Sequence, residues 1–197
     1  MLPTEPGPTL LPIARASIAQ ALGRVHDAAE DAAWLQAHGA CFVTLTQRGQ
    51  LRGCIGTLEA HRSLLADVKA NALAAALRDP RFAPLTVTEL ERTEIEISLL
   101  SPMQAMGFAS EAEALAQLRP GIDGVVLTFG RYRSTFLPQV WEQLPGADEF
   151  MAQLKYKAGL PPDFWAAGVR LQRYTVSKWR EADLAQNAAA ADERLET

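Results

Sequence analysis

The sequence predicts an α+β fold in which helices pack on a mixed or antiparallel sheet. Two stretches, 41–57 and 124–136, each hold a pair of β-branched and aromatic runs joined by a short glycine-containing turn, which reads as two hairpins. Glu94-Ile95-Glu96-Ile97-Ser98-Leu99 alternates polar and apolar residues, the pattern of a strand with one buried face. Between them, Leu64, Leu65, Val68, Ala72, Ala75 and Ala76 fall on one face of a helix begun by Ser63. Strands separated by helices allow mixed pairing.

In chain order, residues 1–9 hold three prolines and read as an extended lead-in. Leu11, Ala14, Ile18 and Ala21 then recur at helical spacing over 10–22, with Gly23 as the stop. Residues 24–33 are acidic and alanine-rich, open between loop and short helix. In the first hairpin, a turn at Arg48-Gly49 sets Thr46 opposite Leu51, Val43 opposite Cys54 and Cys41 opposite Gly56. That register puts Arg52 and Cys54 on the face of Val43 and Leu45, and Leu51, Gly53 and Ile55 on the other, so both faces expect cover. Cys41 and Cys54 then lie diagonally at about 7–8 Å, beyond the roughly 5.5–6 Å Cα separation a disulfide prefers, and are expected to be free thiols.

The helix from Ser63 ends near Leu77, before Asp79-Pro80-Arg81-Phe82-Ala83-Pro84, a connector stiffened by its prolines. After the 94–99 strand, Ser110-Glu111-Ala112-Glu113 fits a capping box for a helix to about Leu118. The second hairpin turns at Gly130-Arg131. Pro138 opens a helix to Leu144, and Asp148 caps another that ends near Gly159 with Lys155 and Lys157 in its last turn. A final strand over 169–177 changes phase between Leu171 and Tyr174, which a bulge or two-sided burial explains. Residues 182–197 form an alanine-rich tail without an apolar face, expected to be frayed or disordered.

With 197 residues, 48% of them hydrophobic, and a net charge of -4, the chain reads as a globular protein large enough to bury its own core. The acidic balance argues against duplex DNA binding. No apolar run approaches the roughly 20 residues of a membrane span and the start lacks the order of a signal peptide, so a cytoplasmic location is the default expectation. Two cysteines make neither a disulfide scaffold nor a zinc signature, and no metal site is expected. No Walker loop, Rossmann fingerprint, HExxH or Gly-x-Ser-x-Gly pattern is present.

The chemically densest stretch is Leu51-Arg52-Gly53-Cys54-Ile55-Gly56-Thr57. Two glycines within four residues of a strand invite a close approach by another backbone or by a ligand. Beside this heptapeptide stand Phe42-Val43-Thr44-Leu45 before it, Asp79-Pro80-Arg81-Phe82, Glu94-Ile95-Glu96-Ile97-Ser98 before Pro102, and Gly121 with Gly124. Phe136-Leu137-Pro138-Gln139-Val140, Lys157-Ala158-Gly159-Leu160, Trp179 and Glu181 complete the set. In this order the motifs resemble the AMMECR domain family, protein A of the AmmeMemoRadiSam group, over residues 10–181 as a single domain. The resemblance implies an α+β fold with a larger and a smaller part and a cleft lined by the Arg-Gly-Cys segment. It also implies Memo-like and radical SAM proteins as partners; it does not imply a known reaction, and any cofactor stays unknown. The chain departs from the family in closing on Trp179 instead of Phe and in its long tail.

Two readings of the site follow. In the first, Cys54 is a nucleophile with Arg52 beside it as the cation that favours thiolate, acting on a small anionic or modified-nucleotide substrate. His38 and His61 are its candidate bases. The competing reading of Cys54 is a small packed hydrophobe. In the second, the chain is a non-catalytic binding or scaffold module that holds an anionic ligand through Arg52, Arg81 and Lys157. Gly53, Ile55, Gly56, Thr57 and Asp79 complete the expected ligand contacts. Against these stand plainer roles: Arg81 paired with Asp79, Lys157 as a helix-end cation, and Glu94 and Glu96 on a solvated strand face.

Overall fold

The computed structural model describes residues 3–184. In chain order the first elements are α1 (Gly7–Ala21), β1 (Cys41–Gln47), β2 (Gln50–Gly56), α2 (Leu64–Leu77), α3 (Val87–Leu90) and β3 (Glu94–Leu100). They are followed by β4 (Gln104–Ala105), α4 (Glu111–Ala116), β5 (Gly124–Phe129), β6 (Tyr132–Phe136), α5 (Ala147–Lys157), β7 (Arg170–Tyr174) and β8 (Val176–Arg180). The α+β class is as expected. Two compact units are formed: the chain up to Leu100 together with the segment from Ser177, and Ser101–Val176.

In the first unit the strand order is β2-β1-β3-β8, with β1 antiparallel to both β2 and β3. The strict alternation of β1 and β3 decides which face is buried. Cys41, Val43 and Leu45 stand opposite Leu99, Ile97 and Ile95, and all but Leu99 are fully inaccessible. Helices α1 and α2 cover this face with Leu10, Ile13, Ile18, Val68 and Ala72. On the opposite face Phe42, Thr44 and Thr46 of β1 are half-buried. The helix α1 starts at Gly7, inside the expected lead-in. Proline in a first helical turn costs no hydrogen bond, so Pro8 does not delay the start. Gly7 is buried there, and a Cβ on it would lie 2.3 Å from the Trp179 ring.

The second unit has strand order β4-β7-β5-β6, again antiparallel, over a core of Val125, Leu127, Leu171, Phe150, Met151 and Trp141. Three expectations are corrected here. Pro138–Glu142 is a 3-10 turn instead of the start of an α-helix; Gly146, not Asp148, flanks α5; and the 169–177 strand is two strands. Leu171 and Tyr174 both lie in β7, whose register with β5 is unbroken, so they stand on opposite faces and are both buried: two-sided burial accounts for the phase change. The chain passes from one sheet to the other between Tyr174 and Val176. The alanine-rich tail lies, beyond Leu184, outside the described residues. Among those described, no helix is long and apolar enough to cross a membrane.

Candidate functional site

The heptapeptide lies on β2, the edge strand of the first unit's sheet. At the turn the expected pairing holds, with Thr46 opposite Leu51, but the next pair is Leu45 with Gly53. Arg52 is therefore an extra residue on β2, a bulge, and every later position shifts by one. Because side chains alternate, that single step exchanges the two faces. Cys54 stands opposite Thr44, turned away from the helices, and Gly53 and Ile55 point toward α2. The two cysteines are free, as expected, although the reason differs: Cys41 faces the core and Cys54 faces away from it.

The bulge also explains the glycines. A Cβ on Gly53 would meet the Ala75 carbonyl oxygen at 2.2 Å, so helix α2 occupies the space expected for a ligand. On the other face a Cβ on Gly56 would lie 2.2 Å from the ring of Phe42, its cross-strand partner. Both absences of a side chain serve packing.

Cys54 presents its peptide group to the open edge of the sheet, where the Asp79-Pro80-Arg81-Phe82 connector closes on it. The Cys54 N–H donates to Asp79 Oδ2 at 2.9 Å, and Arg81 Nη2 donates to the Cys54 carbonyl at 3.1 Å. Arg81 also forks onto Asp79 through Nε and Nη2, at 2.9 and 2.6 Å. An edge strand otherwise leaves such groups unpaired, so the connector blunts the edge. The buried Asp79 carboxyl is held well below the usual carboxylate range by the Arg81 guanidinium first, with burial opposing and the Cys54 N–H assisting.

A carboxyl whose folded pKa is depressed stabilises the protein above its unfolded value, near 3.9, and loses that contribution as pH falls toward the folded one. Asp79→Asn is accordingly expected to reduce stability at pH 7, with the gap to the wild type closing below about pH 4. Urea melts at pH 7, 5 and 3 measure it; a gap that persists undiminished at pH 3 contradicts the ionic account.

Arg52 is held inside the same unit. Its Nε and Nη2 contact Glu89 at 3.1 and 3.4 Å, and Nη2 also donates to the Ala83 carbonyl at 2.9 Å. The Glu89 carboxyl is lowered by this guanidinium first and by the Thr86 N–H next. Arg52 and Arg81 both lie against the Phe82 ring, at 5.8 and 5.5 Å from its centroid.

At the other end of the heptapeptide, the Thr57 hydroxyl donates to Asp67 Oδ1 at 2.8 Å. Asp67 is fully buried on α2 and also accepts from the Cys41 N–H, Arg62 Nε and Asn71 Nδ2. Burial, with Asp67 nearby, pushes the Cys41 thiol far above its usual range, so Cys41 stays protonated. Cys54 is half-buried, and the Thr44 hydroxyl donates to its Sγ at 3.3 Å. Thr44 also stands opposite Glu96 on β3, which pairs with Arg180 at 2.7 Å and Lys178 at 3.7 Å. Cys54, Thr44 and Glu96 thus form a row across three strands, facing away from the helices. With neighbouring strands about 5 Å apart, Glu96 is about 10 Å from Cys54.

The family model described as AMMECR1 matches residues 11–179. The chain belongs to the AMMECR1 family. It is 36% identical over 191 residues to a protein of Methanothermobacter thermautotrophicus, covering 91% of this chain and 96% of that one. Protein MJ0810 of Methanocaldococcus jannaschii is 36% identical over 151 residues, 73% of each chain. Among solved structures, the Uncharacterized Protein PH0010 from Pyrococcus horikoshii matches with a TM-score of 0.72 at 30% identity, covering 89% of this chain and 91% of that one.

Within this AMMECR1-family chain, the first unit gathers Arg52, Gly53, Cys54, Ile55, Gly56, Thr57, Asp79 and Arg81. Lys157 belongs to the second unit, in the last turn of α5, where it donates to the Thr135 carbonyl at 3.0 Å and lies over Phe136. Neither candidate base is bonded to the thiol: His61 is exposed and contacts the Glu59 carbonyl, and His38 makes a backbone bridge with Ser63. Among the described residues, no group of three or more His, Cys, Asp or Glu is placed to hold a metal ion. Sequence reasoning missed Thr44, Glu89 and Asp67, and took Glu96 for a solvated residue although its side chain is only 14% exposed. Glu89 was detectable: Thr86-Val87-Thr88-Glu89 is a capping box, and the structure forms it.

Proposed function

We propose that the AMMECR1-family chain binds a small anionic ligand, a modified nucleotide being one such class, at the sheet face that carries Cys54, with that thiol as the reacting group. What supports this reading is the placement of Cys54: a free, half-buried thiol turned away from the core and hydrogen-bonded by Thr44. Its own peptide is fixed by Asp79 and Arg81. The nearby cation is Arg81, which donates to the Cys54 carbonyl, whereas Arg52 is engaged by Glu89 and Ala83 and acts as a positioning residue.

One observation favours a second reading, a non-catalytic module working with Memo-like and radical SAM proteins. Both guanidinia are already paired within the unit, and the thiol has no histidine partner. Alkylation by iodoacetamide from pH 5 to 9, followed by peptide mass spectrometry, separates the two. The catalytic reading expects native-state modification of Cys54, but not of buried Cys41, slowed about tenfold by Thr44→Val or Arg81→Gln. An ordinary thiol profile indifferent to both substitutions favours the binding module. Reaction of Cys54 only on unfolding defeats the proposed role of the thiol.

A further inference from the structure

The tip of the first hairpin carries a separate constellation of charge. A hollow of about 410 Å³ is lined by Gln47, Arg48, Gln50, Leu51, Arg52 and Arg92. Three guanidinia and two amides meet there with no carboxylate in the lining, in a chain whose net charge is -4. General basicity therefore does not explain the cluster. Its volume falls within the range of small-molecule sites, roughly 300–1,000 Å³.

Two features separate these arginines from the paired ones below them. Arg48 and Arg92 are exposed, and neither side chain has a hydrogen-bond or ion-pair partner among the described residues. Arg52, although held by Glu89 and Ala83, keeps its Nη1 buried without an acceptor. A guanidinium nitrogen left unsatisfied in a buried position is costly, and an anion is the ligand that relieves it. Leu51, 44% exposed, adds an apolar wall to which the organic part of a ligand can pack.

The turn itself points the same way. Arg48 has φ 51° and Gly49 φ 77°, and among the described residues Arg48 is the one non-glycine residue at positive φ. A two-residue hairpin turn with both residues in that region favours asparagine, aspartate or glycine at the first position. Arginine there is disfavoured, because its Cβ crowds the following carbonyl oxygen.

We infer that the hollow between the β1–β2 turn and Arg92 is a binding site for a small, soluble, phosphate-bearing molecule, clasped by Arg48, Arg92 and Arg52. Guanidinium forks match phosphate oxygens in pairs, and the amide of Gln50 supplies a further donor, whereas Gln47 Nε2 is engaged by Thr93 Oγ1 and the Glu89 carbonyl and shapes the wall. The site is independent of Cys54 and stands whether or not that thiol reacts.

Inorganic pyrophosphate is the probe, titrated calorimetrically into the full chain at low chloride. The expected result is one-to-one binding that weakens at least tenfold in Arg48→Asn and in Arg92→Ala. Arg131→Ala, an exposed arginine of the second hairpin, is the control and is expected to bind as the wild type does. Because asparagine relieves the turn, Arg48→Asn is expected to melt no lower than the wild type while it loses affinity. Absence of binding at millimolar pyrophosphate overturns the site, as does an equal loss in Arg131→Ala. Sedimentation with phosphatidylserine vesicles without any pyrophosphate binding overturns it in favour of a lipid surface.

Discussion

Replacing Gly53 by valine is expected to abolish cooperative folding. Even the single carbon of alanine would stand 2.2 Å from the Ala75 carbonyl oxygen and 3.1 Å from its carbon, and both atoms belong to the backbone of α2. No rotamer change relieves a clash with backbone, so β2 and α2 must separate. The helix is then pulled from a core that includes Val68, Ala72, Val43 and Leu45. Overpacking usually costs about 1–3 kcal/mol and sometimes more, against a total stability of about 5–15 kcal/mol. Gly53→Ala should therefore lose about 3 kcal/mol and Gly53→Val should show no native transition in urea. Gly107→Ala is the matched control, because nothing lies within 4 Å of its Cβ position, and should stay within about 0.5 kcal/mol of the wild type. A Gly53→Val protein that melts like the wild type would return this glycine to the role of ligand approach.

The second large effect is expected at Asp67. Four donors converge on its buried carboxylate: the Cys41 N–H, the Thr57 hydroxyl, Arg62 Nε and Asn71 Nδ2. Asp67→Ala removes the shared acceptor of all four; Arg62, whose side chain is 33% exposed, and half-buried Thr57 can turn to water and Asn71 keeps the Cys41 carbonyl, but the buried Cys41 N–H is left without a partner. Breaking a buried pair by removing one partner costs about 3–5 kcal/mol, because the remaining groups keep their desolvation penalty. Thr57→Val removes the bond to Asp67 and those the hydroxyl accepts from Asn71 Nδ2 and Arg62 Nη2, but leaves three donors on the carboxylate, and should cost less, about 1–2 kcal/mol. Urea unfolding of the two variants gives the comparison; equal losses would mean that the carboxylate is not the centre of the network. Asp67 also ties the start of β1 to α2, so its loss should raise hydrogen exchange at the Cys41 amide before that of Val43.

Much of the architecture was legible because its signals are local. The alternation in 94–99 located β3 and its buried face, and Ser63 with Leu64, Val68, Ala72 and Ala75 located α2 and its packing side. The Arg81–Asp79 pair was also foreseeable, since Asp79-Pro80-Arg81 sets the two charges two residues apart on a stiff connector. What was not legible is the face on which Cys54 stands. The hairpin turn was placed correctly, yet counting back from it assumed an unbroken ladder, and one bulged residue at Arg52 reversed the answer. Nothing in Leu51-Arg52-Gly53 announces a bulge, because its cause is distant in sequence: Arg52 is drawn to Glu89 and Ala83, and Gly53 against Ala75.

By itself, then, the sequence determined most of the helices and strands, the apolar faces of α2 and β3, the free state of both thiols and the family that the chain resembles. Periodicity and capping act over a few residues, and a composition read locally is enough for them. Tertiary structure alone decided the register of β2, the use of both heptapeptide glycines for packing, and the row of Cys54, Thr44 and Glu96. It also decided which arginines are spent on internal partners and which are left at the hairpin tip. Those outcomes depend on contacts between residues tens of positions apart, where a shift of one residue in a strand with a two-residue period turns inside to outside.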